Sequence, residues 1–349
     1  MNTGKIRFGI IGCGMIAGWH ANAIKAIEGA ELSGIADNRV EYAAGFSEKY
    51  GGKVFESPER LAASSDIDVI CVCTPSGLHA PQAIMAANAG KYVITEKPMA
   101  LNLEEADQVI KAVETNGVKM AVISQLRFSP AVKKLKEAVD GGLLGKIVVG
   151  DIYMKFYRSQ EYYNKGGWRG TKAMDGGGAL MNQGIHGVDL LRYIMGPVKT
   201  VFARTGTLAR RIEVEDTAAA VLEYENGALG VIQATTSIYP GYPRRMEISG
   251  DKGTIILEED SIVRWDVEGK PVPEDITLEH TTNGSASDPA ALGIEGHILQ
   301  IRDMADAIRS GRKPMVDAYE GRKPIEVIAA VYESAKTGKP VELANFRYR

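Results

Sequence analysis

Lys5-Ile6-Arg7-Phe8-Gly9-Ile10-Ile11-Gly12-Cys13-Gly14-Met15-Ile16-Ala17 is the stretch on which the fold turns. Its apolar and β-branched run reads as a strand, and the residues from 15 to 28 read as a helix. Between them lies G-x-G-x-x-A. In such an element the first glycine makes a tight turn, the second lets a pyrophosphate approach the backbone, and the small third residue lets helix and strand pack closely. The helix start offers unpaired N–H groups and a positive dipole end to phosphates. Gly12, Gly14, Met15 and Ile16 are therefore the expected dinucleotide contacts. A glycine pattern alone fits any strand-to-helix turn, so its weight comes from the flanking elements.

Those elements repeat. IRFGII, ELSGIAD, DVICVCT, KYVITE and KMAVIS alternate with helical stretches as far as residue 124, which predicts an α/β Rossmann domain (1–124) with a doubly wound parallel sheet. Ser57-Pro58-Glu59 and the capping box Asn102/Glu105 mark helix starts. The second strand ends at Asp37, 20 residues after Ala17. A carboxylate there accepts hydrogen bonds from ribose hydroxyls and repels a 2′-phosphate, favouring NAD over NADP. Its other reading is a helix cap, and Arg39 nearby suits a phosphate. Thr74 and Pro75, which close the third of these strands, are expected cofactor contacts, and His79 at the next helix start is a nicotinamide-ribose contact, a cap or a surface residue.

From 125 to 349 the rhythm changes to one helical block (178–195), then closely spaced strands separated by turns such as Glu225-Asn226-Gly227. This predicts an α+β domain with a large, mostly antiparallel open sheet. The polar stretch from 272 to 293 reads as an excursion loop near a site.

A net charge of -3 gives no broad positive field for nucleic acid or an anionic membrane. No apolar run approaches the roughly 20 residues of a membrane span. The N-terminus lacks signal-peptide features, and three cysteines cannot all pair, so a cytoplasmic protein is expected. Cys71 and Cys73 read as buried apolar side chains, and no metal site is expected.

Two further stretches carry the chemistry. Glu96-Lys97-Pro98 ends the strand KYVITE, and strand C-termini of such a sheet face the ligand crevice. MDGGGALMNQGIHGVDLLRYIMG (174–196) opens with three glycines and continues as a helix whose spacing puts Asn182, His186 and Asp189 on one face. Together with the glycine fingerprint these stretches resemble the glucose-fructose oxidoreductase and inositol dehydrogenase family, Gfo/Idh/MocA, from Lys5 to the Gly-Lys-Pro near 340.

The resemblance implies that Glu96 and Lys97 lie at the cofactor, and that Lys97 and His186 act on a substrate hydroxyl. Hydride passes between a secondary hydroxyl of a sugar and nicotinamide, with His186 as general base and Lys97 stabilising the oxygen. The family often has an aspartate four residues before the histidine; here it is Asn182, which cannot hold a negative charge. Asp189 is read as supporting His186 or touching substrate. The block from 157 to 189 looks most like the branch that oxidises UDP-linked N-acetylamino sugar uronates at C3. Within it Tyr157, Arg158, Tyr162, Tyr163, Trp168 and Arg169 combine rings for sugar or base faces with guanidinium forks for anions. Their other reading is a sub-core with surface arginines.

Of the adjacent Arg244 and Arg245, strand alternation allows one at most to meet a ligand. The alternatives are an inositol or glycoside dehydrogenase, an NAD-dependent glycosidase using transient C3 oxidation, and a non-catalytic NAD(H) sensor. A homo-oligomer, dimer or tetramer, is expected from the exposed face of the sheet.

Overall fold

Ile6–Ile11 forms strand β1, whose side chains are almost all buried, as a parallel strand covered on both faces requires. It is followed by β2 (Ala30–Ala36), β3 (Lys53–Val54), β4 (Val69–Val72), β5 (Tyr92–Thr95) and β6 (Met120–Val122). The sheet order is β3-β2-β1-β4-β5-β6, with every neighbouring pair parallel. The order reverses between β1 and β4, the switch point outside whose strand ends a doubly wound sheet binds its ligand. Ser57 Oγ accepts from Arg60 N at 3.2 Å, and Asn102 Oδ1 from Glu105 N at 2.9 Å. The Glu105 carboxylate reaches back one residue further than a capping box requires, accepting from Leu101 N at 3.0 Å.

This computed structural model describes residues 4–165, 167–278 and 293–346. The chain divides into two units, Met1–Gln125 with Gly293–Arg322, and Leu126–Leu292 with Lys323–Arg349. The helix Glu295–Ser310, which the sequence places with the second domain, therefore belongs to the first unit. Its Ile301, Met304 and Ala305 join the core around Ile10, Ala21 and Ile24. Gln300 fastens it by donating to Val122 O at 2.7 Å and accepting from Ser124 N at 2.8 Å.

The second unit is built on β7 (Ile147–Lys155), β8 (Val198–Gly206), β9 (Thr217–Tyr224), β10 (Leu229–Thr235), β11 (Arg245–Gly250), β12 (Gly253–Glu258), β13 (Ser261–Val267) and β14 (Val341–Glu342). These form one eight-stranded sheet, β13-β12-β11-β7-β10-β9-β8-β14. The β7–β10 pair is parallel and the others antiparallel. One face packs on the helix Ile185–Met195, and Gly150 of β7 is needed there because a Cβ would lie 2.4 Å from Met195 Sδ. On the other face Phe202, Val221 and Val231 stand in one cross-strand row, with Leu229 beside Val149. Most of the polar loop read between 272 and 293 lies outside the described residues. No described helix is long and apolar enough to cross a membrane.

Candidate active site

The glycine loop is shaped for a pyrophosphate. Gly12 has φ +92°, and a Cβ on it would sit 2.8 Å from Cys73 O, so only glycine makes this turn without strain. A Cβ on Gly14 would meet nothing within 4 Å, leaving open space beside the start of the helix Met15–Lys25. Among the described residues no side chain caps that helix and no acid occupies its first turn. Its N–H groups and dipole are thus offered outward, the arrangement a dinucleotide phosphate needs. Met15 is exposed and Ile16 half-buried.

Asp37 stands beside this loop. Its Oδ2 accepts from Cys13 N at 2.8 Å, and its Oδ1 accepts from Arg39 N at 2.9 Å. The carboxylate therefore braces the glycine loop, and each oxygen has further lone pairs for ribose hydroxyls. Thr74 lies against Gly12, and its hydroxyl donates to Gln82 Oε1 at 2.8 Å.

Two expected cofactor contacts are instead interior. His79 is buried, with Nδ1 2.7 Å from Pro98 O and Nε2 2.8 Å from Thr74 O, so it ties two loops together and does not face a ribose. Burial pushes its pKa down, against the two carbonyls. Glu96 is buried too, 2.8 Å from His20 Nε2. Burial alone would raise its pKa, but the hydrogen bonds and charge of His20 and His297 hold it well below the usual carboxylate range. Lys97, the next residue, is half-buried, while Pro98, Met99 and Ala100 after it are buried.

In the second unit the glycine run precedes a π-helical turn, Ala179–Gly184, which continues as the α-helix Ile185–Met195. Glu215 organises its start. Its carboxylate accepts from Gly178 N, Leu180 N and Tyr332 Oη, each at 2.9 Å. A Cβ on Gly178 would lie 1.7 Å from Glu215 O, which excludes any other residue there. Asn182 and His186 are half-buried. Asn182 Nδ2 donates to Asp175 Oδ1 at 2.5 Å, and the other Asp175 oxygen accepts from Gly170 N at 2.8 Å.

Asp189 does not share their setting. It is 3% exposed and holds Arg127, itself 1% exposed, through Nε–Oδ2 at 2.8 Å and a second contact at 2.5 Å, so it is not a substrate contact. His186 and Asp189 lie three residues apart on one α-helix, about 60° apart around its axis, so Asp189 turns to the packed face while His186 stays half-buried.

The aromatic and basic cluster divides in two. Tyr163 is buried with its hydroxyl 2.8 Å from Thr236 Oγ1, and burial pushes its pKa up to about 12. Arg158 is buried as well, donating to Tyr157 O at 2.6 Å. Both therefore belong to the sub-core. The others are more open: the Arg169 guanidinium lies 4.9 Å from the rings of both Tyr162 and Trp168. Tyr157 meets Tyr239 edge-on at 5.3 Å, with Arg210 5.2 Å above it. Arg244 pairs with Glu259, and Arg245 with Glu247 and Glu258, so each carries a carboxylate partner.

Residues 6–124 match the oxidoreductase family with an NAD-binding Rossmann fold, and residues 132–256 match the GFO/IDH/MocA C-terminal domain. The chain belongs to the GFO/IDH/MocA oxidoreductase family. As a member of that family it is an NAD-binding oxidoreductase acting on CH–OH. The WlbA dehydrogenase from Bordetella pertussis, solved in complex with NADH and UDP-GlcNAcA, is 35% identical with a TM-score of 0.89, over 98% of this chain and 99% of that one. The myo-inositol 2-dehydrogenase of Thermotoga maritima is 29% identical over 97% of this chain and 98% of its own length. The D-glucoside 3-dehydrogenase of Escherichia coli is 28% identical over 98% and 99%.

Asp175, Glu215, Tyr239, Arg210, His20 and His297 had no place in the sequence reading of this member. Only Asp175 carried a local signal, as the acid directly before the glycine run.

Proposed function

We propose that this chain oxidises a secondary hydroxyl of a nucleotide-linked, anionic amino sugar, in the class of UDP-GlcNAcA, at C3. The observation that carries this reading is the pair of half-buried arginine–aromatic contacts, Arg169 with Tyr162 and Trp168, and Arg210 with Tyr157, whose ring meets Tyr239 edge-on. Rings offer faces to a base or sugar, and guanidinium forks offer paired donors to phosphate or carboxylate. The similarity to WlbA, the highest identity quoted above, supports the same substrate class.

A bound NAD would supply the hydride acceptor. Gly12, Gly14 and the first turn of the helix Met15–Lys25 would hold its phosphates, and Asp37 its ribose. His186 takes the proton of the substrate hydroxyl as general base near neutral pH. Lys97 brings a positive charge to the oxygen as negative charge develops on it. The acid that the family often carries at position 182 is here Asp175, whose carboxylate polarises the Asn182 amide from the preceding segment.

The test is a dehydrogenase assay with NAD against UDP-GlcNAcA, UDP-GlcNAc, free amino sugars, glucosides and myo-inositol. NADH should accumulate with UDP-GlcNAcA. Turnover of inositol or glucosides with the uronate inert would overturn the substrate class, and aglycone release without net NADH would mean a glycosidase.

NAD should bind more tightly than NADP, and Asp37→Ser should narrow the ratio of their dissociation constants. The ratio is the quantity to read, because Asp37 also braces Cys13 and its loss weakens both cofactors. Equal or tighter NADP binding by the unaltered protein would refute the assignment.

The outer face of the eight-stranded sheet serves self-association as a homo-oligomer, since Phe202, Val221 and Leu229 are exposed on it. Val221→Glu should lower the mass seen by sedimentation, whereas an unchanged mass would free this face of that role. Three free thiols fit a reducing, cytoplasmic setting.

A further inference from the structure

Lys97 is framed by histidines. On its N-terminal side Glu96 Oε1 lies 2.8 Å from His20 Nε2 and 3.5 Å from His297 Nε2. On its C-terminal side Pro98 O meets His79 Nδ1 at 2.7 Å. Two of the five histidines in the chain, His20 and His79, thus bond the two residues that flank one lysine, and His297 lies against the same carboxylate.

The three come from separate elements. His20 lies on the helix Met15–Lys25 that begins at the glycine loop, His79 starts the helix His79–Asn88, and His297 lies on Glu295–Ser310. Trp19 holds the His297 ring edge-on at 5.3 Å. His20 and His297 are both fully enclosed, and a buried carboxylate persists as an anion only when paired in this way.

We propose that His20 and His297 are positioning residues, which by anchoring the Glu96 carboxylate fix the Lys97 loop in register with the phosphate-binding helix. The proposal rests on the reading of Lys97 as the residue that meets the substrate oxygen. It goes further in tying the element that holds the cofactor to the element that does the chemistry. Neither histidine touches the reacting atoms.

The groups facing Glu96 are His20, His297, the thiols of Cys71 and Cys73 from the β4 segment, His79 and Lys97. The two imidazoles hold the Glu96 pKa down, so removing one raises it. Anchoring requires the anion and is lost as pH falls through the folded-state pKa. A raised pKa therefore moves the acid limb of turnover to higher pH.

The experiment compares His20→Ala, His20→Gln, His297→Ala and Lys97→Ala in the full-length protein with NAD and the best substrate of the assay above. His20→Ala should lower kcat by up to about 10²-fold through misplacement of Lys97, with its acid limb shifted upward and the NAD dissociation constant little changed. His20→Gln, whose amide can still donate to Glu96, should recover most of the loss. Should Lys97→Ala abolish turnover while the histidine variants keep wild-type kcat and pH profile, the positioning role falls and the reading of Lys97 stands. Wild-type turnover in Lys97→Ala removes both. The ligand atoms of His20, Glu96 and His297 lie within 4.8 Å of one another. One tightly held zinc per chain, whose chelation abolishes activity, would overturn the proposal by making them metal ligands.

Discussion

Lys97→Ala and His186→Ala each lower turnover by about 10² to 10⁴-fold, the usual cost of a positioned acid–base group, while NAD affinity stays nearly intact. The separation of the two effects follows from where the residues stand. On the proposed reading the phosphates would meet backbone N–H groups at the start of Met15–Lys25, which neither substitution touches. Lys97 is half-buried between Glu96 and Pro98, both enclosed and both tied by histidines. Truncating it removes a charge without freeing the loop. His186 begins the second residue of an α-helix whose preceding turn is held by Glu215, so its removal leaves that helix start in place. Cofactor titration and steady-state kinetics with one substrate check both. Near-wild-type turnover in His186→Ala removes it as the base, and a fall in NAD affinity equal to the fall in kcat makes Lys97 a cofactor residue only.

Legibility in the sequence followed the range over which each residue acts. The parallel sheet was readable because strand, turn and helix signals are local, and the glycine loop because its G-x-G-x-x-A pattern falls within six residues. β3 and β14 were not, being two residues each and defined by their partners rather than by any pattern of their own. β7 was passed over although its alternation is clear, because Gly150 and Asp151 interrupt the apolar rhythm at its centre. The helix Glu295–Ser310 was visible as a helix, but nothing local states which core it joins, and its Ile301 and Met304 are some 280 residues from their neighbours on Met15–Lys25.

The site shows the same division. His186 could be placed on its helix by spacing, but the π-helical turn Ala179–Gly184 that carries Asn182 breaks the α-helical count between the two. His20 could not be joined to Glu96, 76 residues away, since no short-range signal links a helix histidine to a strand-end acid. The cluster from 157 to 169 was recognisable by composition, yet composition does not separate the enclosed Arg158 and Tyr163 from the half-buried Arg169 and Trp168.

Asp189 is where helical spacing misled, and it sets the largest expected effect on stability. Three residues turn an α-helix about 60° short of a full circle, so a residue counted onto the face of His186 points inward to Arg127. The pair is closed from water at 1% and 3% exposure, doubly bonded, and the guanidinium also lies 4.6 Å above the Tyr193 ring. Two enclosed charges offset each other, but removing one strands the other, which typically costs about 3–5 kcal/mol. Asp189→Ala should therefore lower unfolding stability by that amount in denaturant titration. At a temperature where the variant is still folded, its KM for the sugar should match the unaltered enzyme. Replacing both partners by apolar residues of similar size should recover much of the loss, because no stranded charge remains. A variant with normal stability and a raised KM would return Asp189 to the substrate.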